Sequence, residues 1–296
     1  MNTTSSSIPS GRALVLGGGG STGHAWVVGV VAGLLDGGLD VTTADRVVGT
    51  SSGSTVAAQI TNGDPRRLHA ASLVAPPGSP RRGSRRQVAE HLERARRRVA
   101  EAASADDLRR RTAATALARA TDLGDEASAR WRETVAARLS GATWPRHDLR
   151  ITAVDAETAE PVVFDRDSGV DLVDAVAASC AGGFAYALGG GHYIDGGHRT
   201  NAENADVAAG CARVLVLSPL GGRSWTPVDW GLHLSTQLEE LRSAGSAVEL
   251  VVPPPEAEHL FGVDAMDPGL RPVAARTGHE QGSALAGRLT TFWGAR

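Results

Sequence analysis

A serine hydroxyl is a weak nucleophile at neutral pH, so a chain that uses one must hold it clear of its own backbone and beside a base. Ser51 is placed to meet the first condition. It lies in Val47-Val48-Gly49-Thr50-Ser51-Ser52-Gly53, an apolar run that breaks into Gly-x-Ser-x-Gly and continues as helix-like sequence. The pattern predicts a strand, a sharp turn and a helix with Ser51 at the tip, and neighbours without a Cβ at 49 and 53 give its Oγ room to stand out. Ser51 is the candidate nucleophile. Gly-x-Ser-x-Gly arises easily in a chain with 36 glycines, so the assignment depends on finding a base and a set of donors for the oxyanion that forms.

The donors are sought at Gly17-Gly18-Gly19-Gly20, directly after the apolar Ala13-Leu14-Val15-Leu16. Successive glycines let N–H groups converge at the mouth of a following helix, whose dipole also favours negative charge. For the base, Asp195 is the strongest candidate. It ends the short strand Tyr193-Ile194 and precedes Gly196-Gly197, so it is presented on a tight turn as Ser51 is. Desolvation in a partly dry cleft raises a carboxylate's proton affinity and lets it act as base toward a hydrogen-bonded serine. His198, His192 and His24 remain as alternative bases, which would make the protein a Ser-His-Asp esterase, thioesterase or acyltransferase.

Three motifs in this order, Gly17-Gly18-Gly19-Gly20, Gly49-Thr50-Ser51-Ser52-Gly53 and Asp195-Gly196-Gly197, resemble the patatin-like phospholipase family. The resemblance extends to Ala178-Ser179-Cys180-Ala181 and to Met266-Asp267-Pro268 with the helix after it, and it skips most of 65–145. It implies a lipid acyl hydrolase with an α/β sheet and a Ser-Asp dyad: Ser51 as nucleophile, Asp195 as general base, the N–H groups near Gly18, Gly19 and Gly20 as oxyanion hole, a lipid or acyl ester as substrate, and no cofactor. Three positions depart from the family pattern. Thr22 stands where the family usually has Arg or Lys, Ser52 where it commonly has Ala, and Gly182-Gly183-Phe184 where it tends to be Pro-rich. These departures bear on substrate preference and rate more than on fold. A non-catalytic lipid-binding protein that keeps the fold is a further alternative.

The elements that must position these residues follow from periodicity. A strand at 13–16, helical spacing over 25–35, a strand at 46–48 and a helix over 54–60 form a strand-helix-strand-helix series, which implies right-handed crossovers and a parallel sheet covered on both faces. Both glycine turns then lie at the carboxyl ends of adjacent strands, where open α/β sheets bind ligands. Strands are also expected at 148–154, 161–164, 193–194, 214–217 and 248–252, with helices over 87–103, 108–139, 170–180 and 230–241 and a C-terminal helix over 270–293 interrupted by glycines. The expected fold class is a three-layer α/β/α arrangement with a mostly parallel central sheet. A flexible tail is expected at 1–11 and a single domain over 12–296, with 65–145 as a helical, Arg-rich insertion or cap.

Between Arg81 and Arg111 the chain carries eleven arginines against five acids, although its total charge is −3. One reading is a surface drawn to anionic lipid headgroups, each basic residue contributing about 1 kcal/mol near such a membrane. The plainer reading is a solvated helix face, since every basic residue of the chain is arginine, a bias a GC-rich genome explains. The N-terminus lacks a basic and apolar signal pattern, no window approaches the roughly 18 apolar residues of a spanning helix, and Cys180 and Cys211 sit in apolar surroundings that suit free thiols. The expected location is cytoplasmic, with a peripheral contact at the membrane as the second reading. No nucleic-acid partner is expected, and no His/Asp/Glu cluster has metal-ligand spacing. Gly18-x-Gly20-x-x-Gly23 matches a dinucleotide fingerprint, but the second strand ends in Gly49-Thr50-Ser51 without the acid a ribose needs; a Walker loop fails at His24. Asp155 and Asp165 are expected as turn residues, the tryptophans as packing residues, and Asn201 and Asn204 as either supports of the Asp195 turn or the start of the next helix.

Overall fold

Four consecutive apolar residues, Ala13-Leu14-Val15-Leu16, are wholly buried because their strand is covered on both faces. In the computed structural model, which describes residues 9–74, 82–124, 126–139 and 141–294, they form β1 (Arg12–Leu16) at the centre of an eight-stranded sheet. Residues 1–8 of the expected tail, the proline loop at 75–80 and Arg81 fall outside the described residues. The other strands are β2 (Arg46–Gly49), β3 (Asp148–Asp155), β4 (Pro161–Phe164), β5 (Tyr186–Leu188), β6 (Gly191–Asp195), β7 (Arg213–Leu217) and β8 (Ala247–Val251). Their order is β5-β6-β3-β2-β1-β7-β8, with β4 paired to β3. The five strands from β3 to β8 across the middle run parallel, and β4, β5 and β6 are antiparallel additions on one side.

Period-2 alternation divides this sheet between two cores. Leu14, Leu16, Val47, Leu149 and Ile151 face the larger core beneath α1 (Gly20–Asp36), α2 (Ser52–Ile60) and α7 (Leu172–Ser179). Ala13, Val15, Val48, Val214 and Val216 face the opposite core, closed by α8 (Leu234–Ser243). The architecture is three-layer α/β/α.

The C-terminal helix α9 (Arg271–Gly294) is continuous, and its glycines do not interrupt it as the sequence reading expected. They are there for packing. A Cβ at Gly278 would lie 2.2 Å from the Trp26 carbonyl oxygen of α1, and one at Gly29 would lie 2.3 Å from that of Ala275. The two helix backbones cross so closely that only glycine fits at the crossing. The helix expected over 108–139 is instead two, α5 (Ala105–Leu123) and α6 (Glu126–Leu139), divided at Gly124, whose φ of 77° a side chain rarely adopts.

Before them lie α3 (Pro65–Ser72) and α4 (Arg82–Glu101). Ser104 Oγ caps the start of α5 by accepting the Asp107 N–H, while the Asp107 carboxylate accepts the Ala103 N–H just before it. Both later helices enter the layers. Ala116 and Leu117 of α5 pack with Val154 and Ile194, and α6 buries Val135 and Leu139 in the larger core. No helix among the described residues is long and apolar enough to cross a membrane.

Candidate active site

Ser51 joins β2 to α2 with φ 52° and ψ −125°, one of three non-glycine residues with positive φ among those described. Such a conformation costs on the order of 1–3 kcal/mol and persists only where surrounding contacts over-determine it. Here they do. The Ser51 N–H donates to Ser179 Oγ at 2.9 Å, and the Ser51 carbonyl accepts from Ser54 Oγ at 2.6 Å and from the Cys180 thiol at 3.0 Å. A Cβ at Gly53 would lie 2.1 Å from the Leu16 carbonyl oxygen, so this glycine is required by the approach of α2 to the end of β1. Burial pushes the Cys180 thiol up to about 11, so it stays protonated and acts as a donor.

The partly exposed Ser51 hydroxyl donates to Asp195 Oδ2 at 2.7 Å. Sheet register brings the two together. Gly49 pairs with Ile151 on β3, and two residues further along β3 Ala153 pairs with Asp195 of β6. Ser51, two residues past Gly49, therefore stands level with Asp195. Because β6 is antiparallel, Asp195 arrives from beyond the carboxyl edge and not from within the sheet. Its second oxygen, Oδ1, accepts the Gly197 N–H at 2.8 Å. Burial raises Asp195 to about 6, against the opposing pull of the Gly197 and Ser51 hydrogen bonds.

One buried amide fastens both halves of this arrangement. Asn204, itself in the left-handed region at φ 54°, donates from Nδ2 to the Gly196 carbonyl at 2.9 Å and to Thr50 Oγ1 at 3.0 Å. Thr50 Oγ1 also lies 2.8 Å from Thr152 Oγ1 on β3. The residue before Ser51 and the residue after Asp195 are thus tied to one side chain. Both readings of Asn204 left open by the sequence are observed: it supports the aspartate turn and stands at the N-cap of the 3-10 helix Ala205–Ala208. Ser179 lies in the Ala178–Ala181 segment that the family resemblance covers, whereas the part of Thr152 had no local signal.

The glycine turn is more committed than its sequence suggests. The Gly18 N–H donates to the Ala202 carbonyl at 2.8 Å, and the Gly19 N–H donates to Ser52 Oγ at 2.9 Å. Gly20 opens α1 at φ 65°, and neither its N–H nor that of Ser52, the first residue of α2, meets an acceptor among the described residues. Both belong to the first-turn donors a helix leaves unsatisfied. Thr22 is fully buried and gives its hydroxyl to the Leu260 carbonyl at 2.8 Å, so it brings no charge to the turn.

The histidines are engaged elsewhere. His24 Nε2 lies 2.8 Å from Gln59 Oε1, and His192 Nδ1 lies 2.6 Å from Glu157 Oε1. His198 ends the 3-10 turn after Asp195. Asp155 and Asp165 accept backbone N–H groups of their own turns. Trp26 and Trp293 are buried, and the indoles of Trp131 and Trp144 donate to backbone carbonyls, whereas Trp225 is 46% exposed under the Arg96 guanidinium. Among the described residues no group of three or more His, Cys, Asp or Glu could hold a metal ion.

The sequence profile of the family described as patatin-like phospholipase matches residues 14–208. Similar solved structures include VipD from Legionella pneumophila, 13% identical with a TM-score of 0.41 over 95% of this chain and 67% of that one. Another is ExoU of the Pseudomonas aeruginosa type III secretion system in complex with SpcU, 18% identical with a TM-score of 0.40 over 97% of this chain and 53% of ExoU. The chain thus spans about two thirds of VipD and about half of ExoU. No match was found among curated proteins.

Proposed function

The chain belongs to the patatin-like phospholipase family, and from that membership we propose that it hydrolyses acyl esters of lipids with Ser51 as nucleophile and Asp195 as general base. The observation that carries this reading is the 2.7 Å hydrogen bond from Ser51 Oγ to Asp195 Oδ2 at a positive-φ elbow. Asp195 takes the hydroxyl proton as Oγ attacks the ester carbonyl, returns it to the departing alcohol, and then takes a proton from the water that cleaves the acyl-serine and passes it back to Ser51 Oγ as the acid leaves. Raised to about 6, it is a carboxylate at neutral pH yet basic enough to share that proton.

The oxyanion falls to N–H groups at two helix starts. Gly20 N–H and Ser52 N–H meet no acceptor among the described residues, and rotation of the Ser52 hydroxyl would free the Gly19 N–H it now accepts. Gly18, whose N–H is held by Ala202, then shapes the turn without donating. A preorganised pair of this kind contributes roughly 3–4 kcal/mol per donor to the transition state. A fluorophosphonate probe tests the nucleophile: wild-type protein is expected to be labelled and Ser51→Ala not, and labelling that persists in the variant sinks the assignment.

A cytoplasmic enzyme of this kind must meet its lipid at a surface, and α4 is the element we assign to that contact. Arg86 and Arg97 are matched by Glu90 and Glu93 one turn away, whereas Arg94 and Arg96 are exposed with no ion pair among the described residues, and Arg96 lies over the exposed Trp225 ring. Stronger co-sedimentation with anionic than with neutral vesicles is expected, and equal binding to both removes the assignment.

A further inference from the structure

One segment that the proposed chemistry does not use lies against the glycine turn. Between the 3-10 turns Pro255–Leu260 and Pro268–Leu270 the chain crosses the start of α1, and Thr22 fastens it there. The Thr22 N–H donates to the Ala265 carbonyl at 3.0 Å and its hydroxyl to the Leu260 carbonyl at 2.8 Å. Phe261 is buried edge-on to Trp26 of α1, and its carbonyl accepts from the Arg223 guanidinium. Asp267 caps the second turn by accepting the Gly269 N–H at 2.8 Å. Both ends of the crossing are therefore fixed, and Ala265 and Met266 have a set place.

That place is on Gly20. A Cβ built at Gly20 would lie 2.9 Å from the Ala265 carbonyl oxygen and 2.8 Å from Met266 Sδ. The thioether thus rests on the residue whose N–H meets no acceptor among the described residues. Met266 is nonetheless 57% exposed, and Val263 of the same segment is also exposed. Apolar side chains standing singly at a surface are ordinary. Met266 differs in that one side of it covers a donor of the reaction centre while the rest is open.

Sheet order decides what can meet it. Ser51 follows β2; the glycine turn follows β1 on one side of it, and Asp195 comes from β6, beyond β3, on the other. Of the groups on an ester carbon, the alcohol oxygen must stay within reach of Asp195, which returns the proton to it. The carbonyl oxygen and the acyl chain are left the β1 side, the oxygen for the N–H groups and the chain for the surface beside them. An unbranched, polarizable thioether suits such a chain, because it adapts to an apolar ligand without a fixed pocket shape.

We infer that Met266, held over Gly20 by Thr22, is the acyl-chain contact of the Ser51–Asp195 site and sets its chain-length preference. This rests on the hydrolase reading above, and the tests separate the two. The first compares kcat/KM for p-nitrophenyl acetate and p-nitrophenyl octanoate, which share a leaving group. The octanoate-to-acetate ratio should fall about fivefold in Met266→Ser, mainly through KM, and return in Met266→Leu. An unchanged or raised ratio overturns the proposal. So does a change confined to the ratio of p-nitrophenyl octanoate to methyl octanoate, which puts Met266 against the alcohol. The second test needs no turnover. Met266 is one of two methionines, the other being Met1, so its signal in protein carrying carbon-13 methionine methyls is assigned by its loss in Met266→Leu. In Ser51→Ala, octanoate should shift that signal and acetate should not; a signal that octanoate leaves in place refutes the contact, whatever the protein hydrolyses. Hydrolysis of neither ester by the wild type, with the signal still shifted, refutes the hydrolase reading and leaves a fatty-acyl binding site. Melting temperatures should be alike in the wild type and the Met266 variants, as befits an exposed side chain, and Met266→Gln supplies the kinetic readout if Met266→Ser melts early.

Discussion

Two serine–carboxylate pairs flank the glycine turn, and they are built for different ends. Ser51 Oγ donates to Asp195 at 2.7 Å, and Ser218 Oγ donates to Glu203 at 2.6 Å. Burial raises both acids, Asp195 to about 6 and Glu203 to about 7. The turn is wedged between them: a Cβ at Gly18 would lie 3.1 Å from Ser51 Cβ, and one at Gly17 would lie 3.1 Å from Glu203 Cγ. The difference is presentation. Ser218 is completely buried just past the end of β7, with its Oγ also accepting the Gly222 N–H at 3.0 Å, and Glu203 is 1% exposed. Ser51 stands on a strained elbow at a helix start, partly open to solvent. A short hydrogen bond to a perturbed acid is common to both, so it does not by itself mark a nucleophile; access and backbone conformation do.

The largest expected effect separates the pairs by activity. Asp195→Asn should lower kcat by about 10³-fold, within the 10²–10⁴ range of general-base catalysis, while Glu203→Gln stays within about threefold. Equal losses in steady-state kinetics would erase the distinction. Next is the acid limb of the pH–rate profile. A base must be deprotonated, so kcat/KM should fall about tenfold per pH unit below about 6, the raised value of Asp195. The limb should persist unchanged in Glu203→Gln; its loss there would assign the titration to the wrong pair.

The smallest effect is on stability. A folded-state value of about 7 against 4.5 means that the native protein binds the Glu203 proton more tightly than the unfolded chain does. That contribution is complete at low pH and is lost as pH rises from about 4.5 to about 7. Glutamine stays neutral throughout, so the melting temperature of Glu203→Gln should gain on the wild type by a few degrees between pH 5 and pH 8, reflecting roughly 2–3 kcal/mol. A difference that does not change with pH would mean Glu203 is not held protonated.

Much of this was legible along the chain because the informative residues are neighbours in it. The elbow needs an apolar strand, a serine and flanking glycines within seven residues, and strand-helix alternation implies a layered sheet without long-range knowledge. Glycine was legible as a residue but not as a function. Those of α9 read as interruptions of a helix because propensity is local, whereas their effect is to admit α1 at van der Waals contact, which depends on a helix some 250 residues away. At Gly124 the local reading erred the other way, since apolar spacing runs through a position whose backbone turns left-handed.

By itself the sequence determined the layered α/β class, the elbow and the candidate pair Ser51 and Asp195, all carried by short-range patterns of apolar period and glycine placement. Tertiary structure decided what those residues meet. The register of β2, β3 and β6 set Asp195 level with Ser51, Asn204 tied their turns together, and the fold spent the N–H of Gly18 on Ala202 while leaving those of Gly20 and Ser52 open. The physical reason is range: dihedral preference and hydrophobic period act over a few residues, while a hydrogen bond or an unpaired charge depends on which distant groups packing brings within about 3–4 Å.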